Sequence, residues 1–417
     1  MKNTLGPVIA LLISVSILLT GQGLQGTLLP TRASLEHFPT LAIGTMGAVY
    51  FLGFTIGCLK GGELIKRVGH VRVFLAMAAL ASASPLLHGL IVHPIVWALL
   101  RMLTGFCFAV LYVVIESWLN EQSTNENRGV IFATYVMITL TVMACGQMLM
   151  LLYDPNGLQL FVVASVLVSI AAVPIALSTS PMPEQPHSVS IDIVRLYRIS
   201  PLGTIACLAC GLANGAFWAL APVFTVTVTG NVELAAWFMT AAVLGGAASQ
   251  WPFGWISDRA GRRNVLVVMC LAGTIVSAAA VFGAAQLSFF STTLIGAVWG
   301  AIAFPLYSVA VAHTNDFANS DEYVTVSSGL LLMYGVGAIV GPLVASAAMT
   351  YFGPGGLFLY IAYIHGGLTL IVIYRMLRRR RPISEDKHVP FADSLASAHT
   401  ASQVYEEEVQ QQATEQT

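Results

Sequence analysis

The stretch Gly254-Trp255-Ile256-Ser257-Asp258-Arg259-Ala260-Gly261-Arg262-Arg263 is short, basic and bounded by glycine, and it lies between two long apolar runs. A degenerate copy stands 192 residues earlier, as Gly62-Glu63-Leu64-Ile65-Lys66-Arg67-Val68-Gly69-His70. A polar turn that recurs once in each half, each time between apolar segments, is the pattern of a duplicated helical membrane protein.

The flanking composition agrees. Of 417 residues, 56% are hydrophobic and 9% charged, against roughly 25% charged in an average soluble protein. So few charges cannot cover a surface facing water. Apolar runs of about twenty residues, each able to cross a hydrocarbon core of about 30 Å, recur from end to end. Twelve spans are predicted: 7–30, 41–60, 72–92, 95–118, 129–152, 159–178, 201–226, 233–253, 264–285, 289–312, 325–350 and 356–376. Met1-Lys2 opens like a secretory leader, but its apolar run is too long and lacks a small-residue cleavage site, so it reads as the first span.

Charge placement orients the chain. With twelve crossings and an inside N-terminus, every Lys and Arg except Arg32 and Arg101 falls on the cytoplasmic side. Arg32 lies outside and Arg101 within a span. An odd number of crossings would scatter the cations over both faces. The positive-inside rule therefore predicts a multi-pass protein of the cell inner membrane with both termini cytoplasmic.

Two six-helix bundles are expected, at 1–178 and 201–377. They flank a Pro-containing cytoplasmic linker at 179–200 and precede a cytoplasmic tail at 378–417. The tail lacks apolar periodicity and reads as disordered, with Arg378–Arg381 placed to meet anionic headgroups. Gly53, Gly57 and Gly61, and again Gly337 and Gly341, recur every fourth residue and let helix backbones approach closely. The fold class is thus all-α, with twelve transmembrane helices in two pseudo-symmetric bundles.

Several chemistries are absent from the sequence pattern. The six cysteines all lie in spans. Cys207-x-x-Cys210 has redox or zinc spacing, but no His or acid stands nearby, so it reads as packing. There is no phosphate-cradling glycine loop, no nucleophile–base constellation and no metal cluster. Neither an enzyme nor an ATP-driven pump is expected, and no cofactor, metal or nucleic acid is implied.

The Gly254–Arg263 motif resembles the loop that joins the second and third helices of each half in the major facilitator superfamily. Arg101-x-x-x-Gly105 resembles that superfamily's fourth-helix Arg motif. Val114-Ile115-Glu116-Ser117, Asn127-Arg128-Gly129, Gly146-Gln147, Ser249-Gln250-Trp251-Pro252 and Tyr334-Gly335-Val336-Gly337 running to Gly341-Pro342 are similar to the YcaD-like branch. The resemblance covers roughly residues 5–376. It implies a secondary transporter working by alternating access, with gating by Asp258, Arg259, Arg262, Arg128, Gly341 and Pro342. Some broad relatives are regarded as riboflavin permeases, which makes riboflavin or a similar vitamin a candidate solute. The sequence departs from the pattern twice. Lys66 stands where an acid is expected, which removes the latch role from the first half unless Glu63 substitutes. Gly146-Gln147 replaces the Gly-Pro of drug/proton antiporters, which favours uptake over efflux.

Arg101 is the most telling single residue. An arginine at mid-span costs on the order of 2.5–3.5 kcal/mol on insertion scales, so it should face the bundle interior or a wet cavity. It would anchor an anionic solute or assist coupling; the rival reading is a structural arginine bonded to backbone carbonyls. Glu116 shares its helical face, with Gly105, Phe108 and Tyr112 between them. Glu116 is a candidate for proton coupling, against the reading of an interfacial acid paired with Arg128. His313 and Asp316, one turn apart, could relay protons or simply cap and gate the tenth span. Gln22, Gln25 and Asn214 are the preferred polar cavity residues. An aromatic group of Phe217, Trp218, Trp299, Phe304, Tyr307 and Tyr334 would suit a planar solute by stacking, or is ordinary packing. Trp118 and Trp251 read as interfacial anchors.

The sequence therefore predicts a monomeric, proton-coupled carrier of a small organic solute, with the lipid bilayer as its other partner. The rivals are a drug or metabolite efflux antiporter and, in another class, a membrane sensor or scaffold that no longer transports.

Overall fold

The computed structural model describes residues 9–123, 128–177, 192–283, 288–318 and 323–378. Among them are twelve helical segments long and apolar enough to span a membrane. The first half contains α1 (Ile9–Leu35), α2 (Thr40–Val68), α3 (His70–Leu90), α4 (Pro94–Glu121) and α5 (Arg128–Met148). Its sixth crossing is broken into α6 (Gln159–Ile170) and α7 (Ala172–Ala176). A short helix α8 (Ile193–Ile199) precedes the second half. That half comprises α9 (Pro201–Thr229), α10 (Val232–Ala260), α11 (Arg262–Gly283), α12 (Phe289–Asn315), α13 (Tyr323–Phe352) and α14 (Gly356–Arg378). The predicted linker is described only from Asp192, whose side chain caps α8 by accepting from the Arg195 amide at 2.9 Å. Residues 178–191 and the tail beyond 378 lie outside the described residues.

The helices are apolar on both faces, as a lipid solvent requires. Outward positions keep large hydrophobics such as Leu99, Val268, Phe282 and Leu370 exposed. Since lipid is as apolar as leucine, helix association here depends on close contact rather than on water exclusion. Glycine provides it. A Cβ on Gly53 would lie 2.0 Å from the Met102 carbonyl, and one on Gly105 2.0 Å from that of Tyr50. These contacts seam α2 to α4. The second bundle repeats them in α10 and α12, where a Cβ on Gly245 would lie 2.1 Å from the Ala297 carbonyl and one on Gly300 2.0 Å from that of Ala242. Gly146 against Thr20 and Gly341 against Leu212 form the matching seams α1–α5 and α9–α13. The two six-helix bundles are thus packed alike.

Two expectations need correction. The second and eighth spans were expected to stop at residues 60 and 253, yet α2 and α10 continue to Val68 and Ala260. The polar motif is therefore the last helical turns, and the chain reversal narrows to one glycine: Gly69 at φ 91° and Gly261 at φ 82°. Only glycine adopts this backbone without strain. Trp118, expected at an interface, is buried in the core of the first bundle beside Leu119 and Val114, whereas Trp251 is exposed.

Candidate functional site

A cavity of about 400 Å³ lies between the two bundles. Its lining includes Gln22 and Gln25 from α1, Tyr50, Phe54, Thr55 and Cys58 from α2, and Arg101, Phe108, Tyr112 and Glu116 from α4. Tyr135 and Gln147 of α5, Asn214 and Trp218 of α9, and Gln250, Phe304, Tyr307 and Tyr334 complete it.

One end of the cavity is closed by contacts between bundles. Gly44 of α2 sits against Ser346 and Pro342 of α13, and Gly47 against Ala219 of α9 and Pro342. Across α5 and α10, the Thr240 hydroxyl lies 3.3 Å from Gln147 Oε1 and 3.4 Å from the Ala144 carbonyl. All these residues lie in the halves of their helices remote from Gly69 and Gly261. Toward the opposite end, which carries the basic turns, the lining passes through Cys58, Glu116, Tyr135, Gln250 and Ser328.

The two walls differ in chemistry. On the first-half side, Tyr112 donates its hydroxyl proton to Gln22 Oε1 at 2.9 Å, and Gln22 Nε2 donates to the Tyr50 hydroxyl at 3.0 Å. The Arg101 guanidinium lies over the Tyr50 ring, 4.0 Å from its centroid. Deeper along α4, Tyr135 donates to Glu116 at 3.5 Å. The second-half side is aromatic. Trp218 and Phe304 are stacked in parallel at 5.4 Å and 6°, and Tyr307 meets Tyr334 edge-on at 5.0 Å. Phe217 and Trp299, stacked at 3.7 Å, are fully buried behind this wall rather than lining it.

The structure therefore gathers Gln22, Gln25, Arg101, Tyr112, Glu116, Asn214, Trp218, Phe304 and Tyr307 around one space. Gln22 and Asn214 are duplicates of one position, 192 residues apart, and Tyr112 and Tyr307 of another, 195 apart, in the register of the glycine seams. Gln25 Oε1 is buried without a hydrogen-bond partner. Gly105, on the Arg101 stripe, faces α2 instead of the cavity.

His313 and Asp316 are placed elsewhere, outside the lining of the cavity. Asp316 accepts from Arg262 Nε at 2.7 Å, while His313 packs against Phe317 with its Nδ1 unpaired. Arg262 also reaches Asp258 at 3.3 Å, so Asp258, Arg262 and Asp316 form one charge cluster at the basic end. Arg259 lies outside it, stacked over Trp255 at 4.0 Å. In the first half the corresponding positions are Lys66, His70 and Glu121. Glu63 does not stand in for the missing acid, because it pairs with Lys60 on the exposed surface at 3.3 Å. Gly341 packs within its own bundle, whereas Pro342 touches the other. The Arg128 side chain lies outside the described residues.

Tyr50 and Tyr135 were not singled out from the sequence. A hydroxyl at mid-span was the available signal, but an aromatic in an apolar helix is equally ordinary core.

Two like-packed six-helix bundles around a central polar and aromatic cavity define a membrane carrier of small solutes. A family profile described as Major Facilitator Superfamily matches residues 11–328 and 203–404, and the chain belongs to that superfamily. It is 29% identical over 381 residues to an uncharacterized MFS-type transporter, YcaD, of Escherichia fergusonii, covering 91% of this chain and 97% of that protein. The Salmonella typhi counterpart is 28% identical over 381 residues, covering 91% and 98%. Among solved structures, the nucleoside transporter NupG is 14% identical with a TM-score of 0.77, covering 91% of this chain and 100% of that one. A bacterial homolog of the human lysosomal transporter Spinster, inward-facing and occupied, is 15% identical with a TM-score of 0.71, covering 92% and 97%. At such identities these two establish the fold alone. The chain is a multi-pass membrane transporter and not an enzyme.

Proposed function

We propose that this protein carries a small organic solute by alternating access, as a monomer in the cell inner membrane, with both termini in the cytoplasm. The observation that carries the reading is the central cavity, shut at one end by Gly44, Gly47, Thr240 and Gln147 and lined toward the other by Glu116 and Ser328. With the basic turns placed inside by the positive-inside rule, this conformation faces the cytoplasm. The moving parts are the bundles 1–178 and 201–377, joined by 179–200. In the opposite state the basic end closes, with the Asp258–Arg262–Asp316 cluster keeping the ends of α10, α11 and α12 together as one gating surface.

Proton coupling is part of the proposal. Glu116 faces the cavity from its basic end, beside Tyr135. A carboxyl that alternates between wet and dry surroundings takes and releases a proton. Uptake is favoured over efflux because Gly146-Gln147 stands where drug/proton antiporters have Gly-Pro. No residue of the cavity singles out riboflavin, which is not carried forward.

The test is counterflow and gradient-driven uptake in proteoliposomes, using a panel of vitamins, nucleosides, organic acids and drugs. Exchange of at least one solute, accelerated by an imposed proton gradient, is expected. A chain that neither binds nor exchanges any member is a sensor or scaffold. Exchange without response to the gradient leaves a passive facilitator.

A further inference from the structure

We infer that the solute is a planar aromatic anion, its acid group on Arg101 and its ring against Trp218 and Phe304. This rests on the transport reading and narrows it to a chemical class.

Arg101 is the single Lys or Arg lining the cavity among the described residues. Its guanidinium is stacked on Tyr50 at 4.0 Å and has no ion pair or side-chain hydrogen bond among the described residues. A guanidinium carries five N–H donors in a fixed fork, and stacking on one face satisfies none of them. The hydroxyls of Tyr50 and Tyr112 do not complete its shell: both are hydrogen-bonded to Gln22, and the guanidinium meets Tyr50 through the ring face. Glu116, the other charged residue of the lining, lies fifteen residues farther along the same helix. At 1.5 Å per residue that is about 22 Å, beyond the reach of an ion pair. A cation kept in a membrane span with its donors turned to a cavity calls for an anion from the cargo, and a carboxylate matches the fork with two parallel bonds.

The opposite wall defines the rest of the molecule. Trp218 and Phe304 present parallel rings at 5.4 Å and 6°. They are braced from behind by the buried Phe217 and Trp299. Rings held this firmly take a flat ligand by stacking with little loss of side-chain freedom. A cationic solute would meet Arg101 as a like charge, and a neutral one would leave its donors unmatched.

The experiment compares matched probes on the full chain in lipid nanodiscs: benzoate, 1-naphthoate and indole-3-acetate, their primary amides, tryptamine, and cyclohexylacetate as a non-aromatic acid. Binding is read by thermal shift and by competition with radiolabelled indole-3-acetate. At least one aromatic acid is expected to bind tenfold or more tightly than its amide, tryptamine and cyclohexylacetate. Arg101→Gln should erase the acid-over-amide preference, and Arg101→Lys should keep part of it. Equal binding of acid and amide to the wild type overturns the inference, even if the Arg101 variants fail to fold. So does failure of every aromatic acid to bind at 10 mM on the order of ordinary weak-ligand limits, or a preference that survives Arg101→Gln. If a neutral or cationic solute exchanges in proteoliposomes while the aromatic acids do not, transport stands and the anion class falls. If nothing binds or exchanges, the transport reading falls with it.

Discussion

Arg262 Nε and Asp316 Oδ2 are 2.7 Å apart, with side chains 1% and 0% exposed, so the start of α11 is pinned to the end of α12 by a buried ion pair. Asp258, at the end of α10, joins from 3.3 Å with its side chain 28% exposed. Three helices of one bundle thus meet at a single guanidinium. The first bundle has Lys66, His70 and Glu121 at the matching places, so the charge order is not repeated.

Asp316→Asn should destabilise the protein far more than Asp258→Asn. Asp316→Asn takes the closer and fully buried carboxylate from a buried guanidinium, a loss of at most about 3–5 kcal/mol because Asp258 still reaches Arg262, whereas the partly exposed Asp258 is screened by solvent. The Arg262→Gln/Asp316→Asn double variant should recover part of the loss. Thermal unfolding of purified variants in one detergent checks this, and equal midpoints for the two Asn variants would contradict it.

Gly105→Ala should destabilise α2–α4 packing by about 1–3 kcal/mol, since its Cβ would meet the Tyr50 carbonyl at 2.0 Å and overpacking carries that cost. Gly367→Ala in α14, with nothing within 4 Å of the added carbon, should be neutral or slightly stabilising. A wild-type midpoint for Gly105→Ala would show that the seam yields.

Glu116→Gln should abolish acceleration of uptake by a proton gradient while leaving counterflow within a few-fold of wild type. The amide keeps the shape and the contact with Tyr135 but cannot exchange a proton. Radiolabelled flux with and without a protonophore measures both. An unchanged gradient response removes Glu116 from coupling.

Thr240→Val should loosen the closed end by removing the hydroxyl that meets Gln147 and the Ala144 carbonyl. A cysteine at Gln25 should then react several-fold faster with an impermeant maleimide applied from the side away from the basic turns. Unchanged labelling would mean that the Gly44–Ser346 and Gly47–Pro342 contacts close the cavity without it. Sided labelling also tests the orientation: a cysteine at Asp258 should react only from the cytoplasmic side.

Much of the architecture was readable from the chain because lipid imposes a simple rule. A segment without water must satisfy its backbone internally, so twenty apolar residues read as a spanning helix. The glycine repeats Gly53/Gly57 and Gly337/Gly341 were likewise visible as places of close approach. The candidate cavity was legible where a polar group was out of place: Gln22, Gln25, Arg101, Glu116 and Asn214 are anomalous in apolar spans. Tyr50 and Tyr135 were not, because a tyrosine suits core, interface and binding wall equally.

From residue order alone came the crossings, the duplication and the side bearing the cations, since each depends on local composition along one dimension. Which partners meet depended on three-dimensional packing. Asp316, three residues from His313 in the chain, turns to Arg262, 54 positions away, and Phe217 turns away from the cavity while its neighbour Trp218 faces it. Helix rotation and tilt decide such pairings, and they are set by steric contact between distant segments rather than by any signal carried within one of them.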